Sequence, residues 1–313
     1  MATLKTTDVS NVREDLGNYI SMISPEETPF RTEIGKTKAK GTYHETLSDE
    51  LAAPNKDNAA VEGADAPLNT LTGPARLGNW TQIFTKDGAI ARTLESVDKA
   101  GAKSEKARQI AKKGLELNRD IEAALISANG SSATGARKLG GAEAWIKTNA
   151  SHGTGGATAG FSNGIVGAVT NATAPNQRVL TEAMFNDMAN KVWKAGGDPT
   201  LVLASGDLKV AISKFNGNAT RYQEIDKSKT IYAGVDFYQS NFGMHKIIPH
   251  RYMNETTVIA FDKSLWNVAV LDGVQKYDLA KTGDADKFQL VTELTLECLN
   301  EAGNGKIADV KAA

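Results

Sequence analysis

Residues 97–130 read VDKAGAKSEKARQIAKKGLELNRDIEAALISANG. Ala107, Ile110, Ala111, Gly114, Leu117, Ile121, Ala124 and Leu125 recur at steps of three and four, which draws one apolar stripe along a helix. Lys112, Lys113, Glu116, Arg119 and Asp120 take the opposite face, with Lys112 and Glu116 one turn apart so that their charges meet. Asp98 or Ser104 is the N-cap, and Asn129-Gly130 supplies a pair that tolerates the left-handed conformation at which helices stop. The spacing predicts a helix over about 98–129, roughly 40 Å long at ~1.5 Å per residue. A rod of that length needs something to lie across. Taken alone, it is also what an ordinary globular enzyme contains.

Composition bounds what surrounds it. With 313 residues the chain can bury a sizeable core, and two lobes or one core with long extensions are expected. A formal net charge of -1 argues against a dedicated nucleic-acid binder, which needs an excess of Lys and Arg on one face. Cys298 is the only cysteine, so an intrachain disulfide is ruled out and a reducing compartment suits the chain. The start, MATLKTTDVSNVREDL, lacks the apolar run of a signal peptide, and no stretch approaches the ~20 apolar residues of a membrane span. A soluble protein that is not exported by the general route is the expectation.

Upstream of the helix, residues 1–36 are polar and broken by Pro25 and Pro29, and read as an extended arm with a short helical piece near Val12 to Met22. Residues 37–47 and 76–93 alternate as strands do. Between them lies LAAPNKDNAAVEGADAPLNTLTGP, nearly free of large apolar groups. The three pieces predict a long hairpin without a core of its own, which has to pack on something outside itself. In an enzyme it would be a lid; in an assembling protein it would be an arm laid over the next subunit.

Downstream, Trp145 and Ile146 anchor a Gly- and Ala-rich stretch whose residues 151–164 read as a flexible loop. Residues 181–196 form a second amphipathic helix, capped by Thr181, with Ala183, Met184, Met188, Val192 and Trp193 inward. Leu201 to Ala204 is a buried strand and Gly206 to Phe215 a third helix, together suggesting a small α/β lobe. The last third predicts strands at Val235–Ser240, Met244–Ile248, Thr257–Phe261, Leu265–Leu271 and Leu290–Leu299, then a tight turn at Asn304-Gly305 into a terminal strand, KIADV.

No motif for chemistry emerges. In GTGGATAG at 153–160, Thr158 occupies the last place of a dinucleotide fingerprint, and no clear strand precedes it. His44, His152, His245 and His250 are scattered, none at helical ligand spacing. Asp284 and Asp286 lack the Gly and distal Glu of a calcium loop. Cys298 lies in a strand alternation and reads as a small buried hydrophobe. No catalytic, cofactor-binding or metal-ligating residue is assigned, and no cofactor is expected.

In order and spacing, VREDLGNYISMISPEETPF, VDKAGAKSEKARQIAKKGLELNRDIEAALI, SNFGMHKIIPHRYM and LAKTGDADKFQLVTELTLECLNEAGNGKI together resemble the major capsid proteins of tailed bacteriophages with the Hong Kong 97 fold, in the branch typified by phages similar to SU-ten. The resemblance covers nearly the whole chain. It implies an α+β architecture: an N-terminal arm (1–36), an extended β-hairpin loop (37–93), a peripheral domain (94–175) with a spine helix over about 98–129, an α/β axial domain (176–265), and a return to the peripheral domain (266–313). It further implies a structural, non-enzymatic protein that self-assembles as hexamers and pentamers into an icosahedral head enclosing double-stranded DNA. The implied partners are packaged DNA contacted nonspecifically and a portal, with a decoration protein left open and no membrane. Many relatives carry an N-terminal scaffolding domain that is cut away, whereas this chain begins directly with the arm; either scaffolding is a separate protein, which the MATLKTTDVS start favours, or that domain is missing from this sequence. Assembly would take place in the host bacterial cytoplasm. Some capsids of this fold join a loop lysine to a neighbour's asparagine; Lys56 and Lys86, with Asn300 and Asn304, are the residues here that such a bond would use. Each lysine has an aspartate beside it, which opposes the lowered pKa that chemistry needs, so a noncovalent shell is expected. The alternative within the fold is an encapsulin-like cellular compartment; outside it, an α/β enzyme with the 40–90 hairpin as lid.

Overall fold

The structure, a computed structural model, describes residues 27–63, 65, 70–71, 73–97, 104–215 and 237–312. The helical piece expected near 12–22 and most of the arm lie outside the described residues, as does Asp98. The chain opens with α1 (Pro29–Glu33), β1 (Gly35–Lys38), β2 (Tyr43–Ser48), β3 (Ala75–Trp80), β4 (Gln82–Ala91) and α2 (Arg92–Ser96). The helix α3 then spans Glu105–Ile126, with the hydroxyl of Ser104 accepting the Ala107 N–H at 3.2 Å. After α4 (Ala142–Trp145) come five two-residue strands: β5 (Ala150–Ser151), β6 (Ala157–Thr158), β7 (Phe161–Ser162), β8 (Ile165–Val166) and β9 (Val169–Thr170). Next are β10 (Arg178–Val179), α5 (Glu182–Lys194), β11 (Leu201–Ala204) and α6 (Gly206–Ser213). The last described elements are β12 (Phe237–Ser240), β13 (Gly243–Pro249), β14 (Val258–Phe261), β15 (Trp266–Leu279), β16 (Ala285–Cys298), β17 (Gly305–Ile307) and β18 (Val310–Lys311).

Two cores organise these elements. In the first, Leu117, Ile121, Leu125 and Ile126 of α3 join Phe84 of β4 and Leu290, Leu294 and Leu296 of β16, with Phe30, Trp145 and Trp266 at its sides. Full burial of each such aliphatic is worth about 1.5–3 kcal/mol, so the C-terminal half of α3 is what fixes the rod to its sheet. That sheet has the order β1-β15-β16-β4. In the second core, Leu180, Phe185, Met188, Val202, Leu208, Ile212, Tyr238, Ile247, Val258 and Ala260 close over Ile307 and Val310. Its six-stranded sheet runs β12-β13-β11-β14-β17-β5, mixing parallel β11–β13 with antiparallel β11–β14.

Several expectations need correction. Among the described residues α3 ends at Ile126 and not at 129, because Ser127 turns extended and sends both its N–H and its hydroxyl to the Ala124 carbonyl (3.3 and 2.8 Å). Ala107 and Ala111 are exposed, so only the later part of the stripe is core. Glu116 pairs with Lys113 at 2.8 Å and not with Lys112. On α5, Ala183 and Trp193 face out and Phe185 faces in.

The two predicted hairpin arms each split between sheets. β2 pairs with β3 from Tyr43↔Trp80 to Ser48↔Ala75, whereas β1 runs parallel to β15 and β4 antiparallel to β16. β15 continues eight residues past Leu271, since register shifts around Asp272 break the alternation that marks a strand. Within residues 151–164, β6 pairs with β9 and β7 with β8, which bridges to β3. Asn304 is extended; a 3-10 turn at Glu301–Gly303 reverses the chain, and Asp309, at φ 59°, divides the terminal strand into β17 and β18.

Candidate functional site

The β2–β3 hairpin projects from a root held by hydrogen bonds. Asn79, buried, donates to the carbonyls of Gly140 and Leu296 (3.0 and 2.9 Å) and accepts the Gly140 N–H (2.7 Å). Thr81 reaches Glu293 at 2.5 Å and His44 reaches Glu297 at 3.1 Å. The bond to His44 holds the Glu297 carboxyl below its ordinary pKa. Beyond the root, Leu51, Val61 and Leu71 are 99%, 80% and 92% exposed. Three aliphatics on one extended loop are therefore largely exposed to solvent.

A second feature is a buried polar network. Asp309 accepts from the N–H groups of Ala172 (2.7 Å) and Gly153 (3.0 Å) and from His152 Nδ1 (3.2 Å). That leaves His152 Nε2 to accept the Thr158 hydroxyl at 2.9 Å. Lys306 Nζ donates to the same hydroxyl oxygen (2.7 Å) and to the Glu143 carbonyl (2.6 Å), while Thr257 donates to the Glu143 carboxylate (2.9 Å). Burial brings Lys306 down to about 8 and pushes Glu143 up. His152 is lowered by burial and then by Lys306. Aspartate, imidazole and hydroxyl are ordered as in an activated nucleophile, but the ammonium of Lys306 takes up one of the two lone pairs of Thr158 Oγ1 and lowers that oxygen's nucleophilicity. The network instead ties the 153–160 loop to β17 and β18. Neither Lys306 nor Asp309 stood out in the sequence, since nothing local marks a charged residue in KIADV as buried.

The other residues weighed from sequence do not converge. His245 bonds the Pro199 carbonyl (2.6 Å) and Ser240 (2.8 Å), while His250 bonds Glu122 (2.9 Å). Asp284 answers Arg92 (2.7 Å) and Asp286 answers Lys281 (2.6 Å). Cys298 is buried, which drives its thiol well up. Among the described residues no group of three His, Cys, Asp or Glu could hold a metal ion, and no helix is long and apolar enough to cross a membrane.

Against known families, the SU10 major capsid protein model matches residues 2–311. The chain belongs to that family. The major capsid protein of Escherichia phage Phieco32 is 27% identical to it over 336 aligned positions, spanning 95% of this chain and 94% of that protein. Among solved structures, the cyanophage A-1(L) capsid subunit superposes with a TM-score of 0.66 at 14% identity, covering 98% of this chain and 99% of that one. The capsid of an empty GTA particle gives 0.64 at 14% identity, covering 99% and 100%. The fold is that of Hong Kong 97-type capsids. The protein is the major capsid protein of a tailed phage, a structural protein that builds the virion shell from many copies of itself, and not an enzyme.

For a capsid protein the cross-linking candidates matter. Lys86 is paired to Asp120 at 2.7 Å, and exposed Lys56 sits on its neighbour Asp57 at 3.1 Å. The Asn300 side chain caps the 3-10 turn through the Ala302 N–H (3.0 Å), and Asn304 is fully buried.

Proposed function

We propose that the subunit is a shell tile held to its neighbours by two reaching elements, the N-terminal arm (1–36) and the extended loop (37–93). The domain plan is a peripheral domain (94–175 with 266–313) carrying the α3 spine and an axial domain (176–265) whose core is completed by β17 and β18 of the returning segment. Within hexamers and pentamers, the 49–74 loop tip lies over an adjacent subunit and buries Leu51, Val61 and Leu71 there. The observation that carries this reading is the near-complete exposure of those three aliphatics above a rigid root. With a net charge of -1, contact with packaged double-stranded DNA is weak and nonspecific. A separate scaffold guides assembly in the host cytoplasm, and a portal completes the shell.

The test is a chain shortened between Ala52 and Pro74. Circular dichroism should match the full chain, since few intrachain contacts are lost, while sedimentation should find no closed shells. Particles of normal size from the shortened chain would refute the loop's role.

A further inference from the structure

Glu122 lies in the buried half of α3 and is 0% exposed. Its carboxylate serves three donors: Oε1 accepts the Phe30 N–H (2.7 Å) and His250 Nε2 (2.9 Å), and Oε2 accepts the Arg31 N–H (3.0 Å). His250, also fully buried at its side chain, receives the Tyr252 N–H on Nδ1 at 3.2 Å. Nδ1 therefore carries no proton, and Nε2–H is the atom that donates to Glu122. Arg31 is the other charged group beside the site, and its guanidinium goes to Asn118 at 2.8 Å.

The two backbone donors belong to α1, a helix of five residues whose N-cap, Thr28, makes no side-chain cap bond. A helix that short does not persist by itself. Its free N–H groups need acceptors, and Glu122 supplies them from 91 residues away. Phe30 completes the dock, edge-on to Phe261 (5.2 Å) and Trp266 (6.0 Å).

We propose that Glu122 is a latch: the buried carboxylate that, with the exposed Glu33–Lys246 pair (3.3 Å) as a lesser tie, keeps residues 28–34 both helical and docked, so that its loss frees this segment as a unit while the body stays folded. Its bearing on assembly rests on the reading that the arm upstream of α1 reaches a neighbour. Glutamine at position 122 has one acceptor oxygen for three donors, and its own NH2 would face them. Turning His250 to its other tautomer would only set two donors against each other at Tyr252.

The experiment is amide hydrogen exchange on the full-chain subunit. In Glu122→Gln, the amides of Phe30, Arg31, Thr32 and Ile34 should exchange about tenfold faster or more, with Val202 and Ile259 unchanged. Unchanged rates at 30–34, or equal acceleration throughout the chain, would overturn the latch. The wild-type chain gives an independent reading: in mild denaturant those four amides should share one rate above that of β11 and β14, and exchange at the global rate would overturn it. If Glu122→Gln loses protection at 30–34 and still builds normal shells, the latch stands and the arm's role between subunits falls.

Discussion

The side-chain oxygen of Asn304 accepts the indole N–H of Trp266 at 2.8 Å and the Asp262 N–H at 3.2 Å, while its NH2 donates to the Asn300 carbonyl at 3.0 Å. An asparagine used at both ends and shut inside the fold cannot meet a neighbour's lysine. With Lys86 paired and Asn300 employed as a cap, the shell is expected to hold without covalent links. Mature particles boiled in detergent with reductant should run as a single band near 33.3 kDa. A ladder of multiples would contradict this.

Ile121 is 0% exposed at the centre of the contact between α3 and its sheet. Ile121→Asp buries an unpaired carboxylate, at a cost of several kcal/mol against a total stability of about 5–15 kcal/mol. Insoluble protein is the expected result; soluble shells that melt normally would show that the stripe is not core.

Lys306 makes stability depend on alkaline pH. Its folded-state pKa, about 8, lies below the ordinary 10.5. Below pH 8 both states hold the proton and the folded chain bears the full cost of burying the charge. Between 8 and 10.5 the unfolded chain holds a proton that the folded chain has released, so stability rises with pH. Urea midpoints at pH 7.5, 8.5 and 9.5 should climb for the wild type relative to Lys306→Met. Parallel trends for the two proteins would argue that Lys306 keeps an ordinary pKa.

Gly130→Ala should destabilise the subunit by about 1–3 kcal/mol, although the position lies outside any helix or strand. A methyl there would sit 2.5 Å from the Ala168 nitrogen and 2.8 Å from the Gly167 carbonyl carbon, both main-chain atoms. The two backbones are fixed against each other by Ser131 N–H to Val166 O (2.8 Å) and Val169 N–H to Ala128 O (3.0 Å). A melting temperature equal to wild type would show that the 166–169 segment yields freely.

What the sequence determined by itself were the features that depend on near neighbours along the chain. The later apolar steps of α3, the Ser104 and Thr181 caps, the all-apolar β11 and the exposure of the described residues between β2 and β3 each follow from local spacing and propensity, and each stands in the fold. The family resemblance was legible for a related reason: it rests on four separate stretches in a fixed order. The tertiary structure alone decided where local signals were cancelled by distant partners. The predicted strand stops at Leu271, yet β16 holds the chain extended as far as Leu279 with shifted register. Asn129-Gly130 reads as a helix stop, yet Ser127 ends the helix and Gly130 answers a backbone 37 residues on. Nothing local marks Glu122 or Lys306 as buried, and they are buried because α1 and the 143–158 segment bring donors and acceptors to meet them. A buried charge is stable only when its partners are supplied, and here those partners come from parts of the chain that folding alone brings within reach.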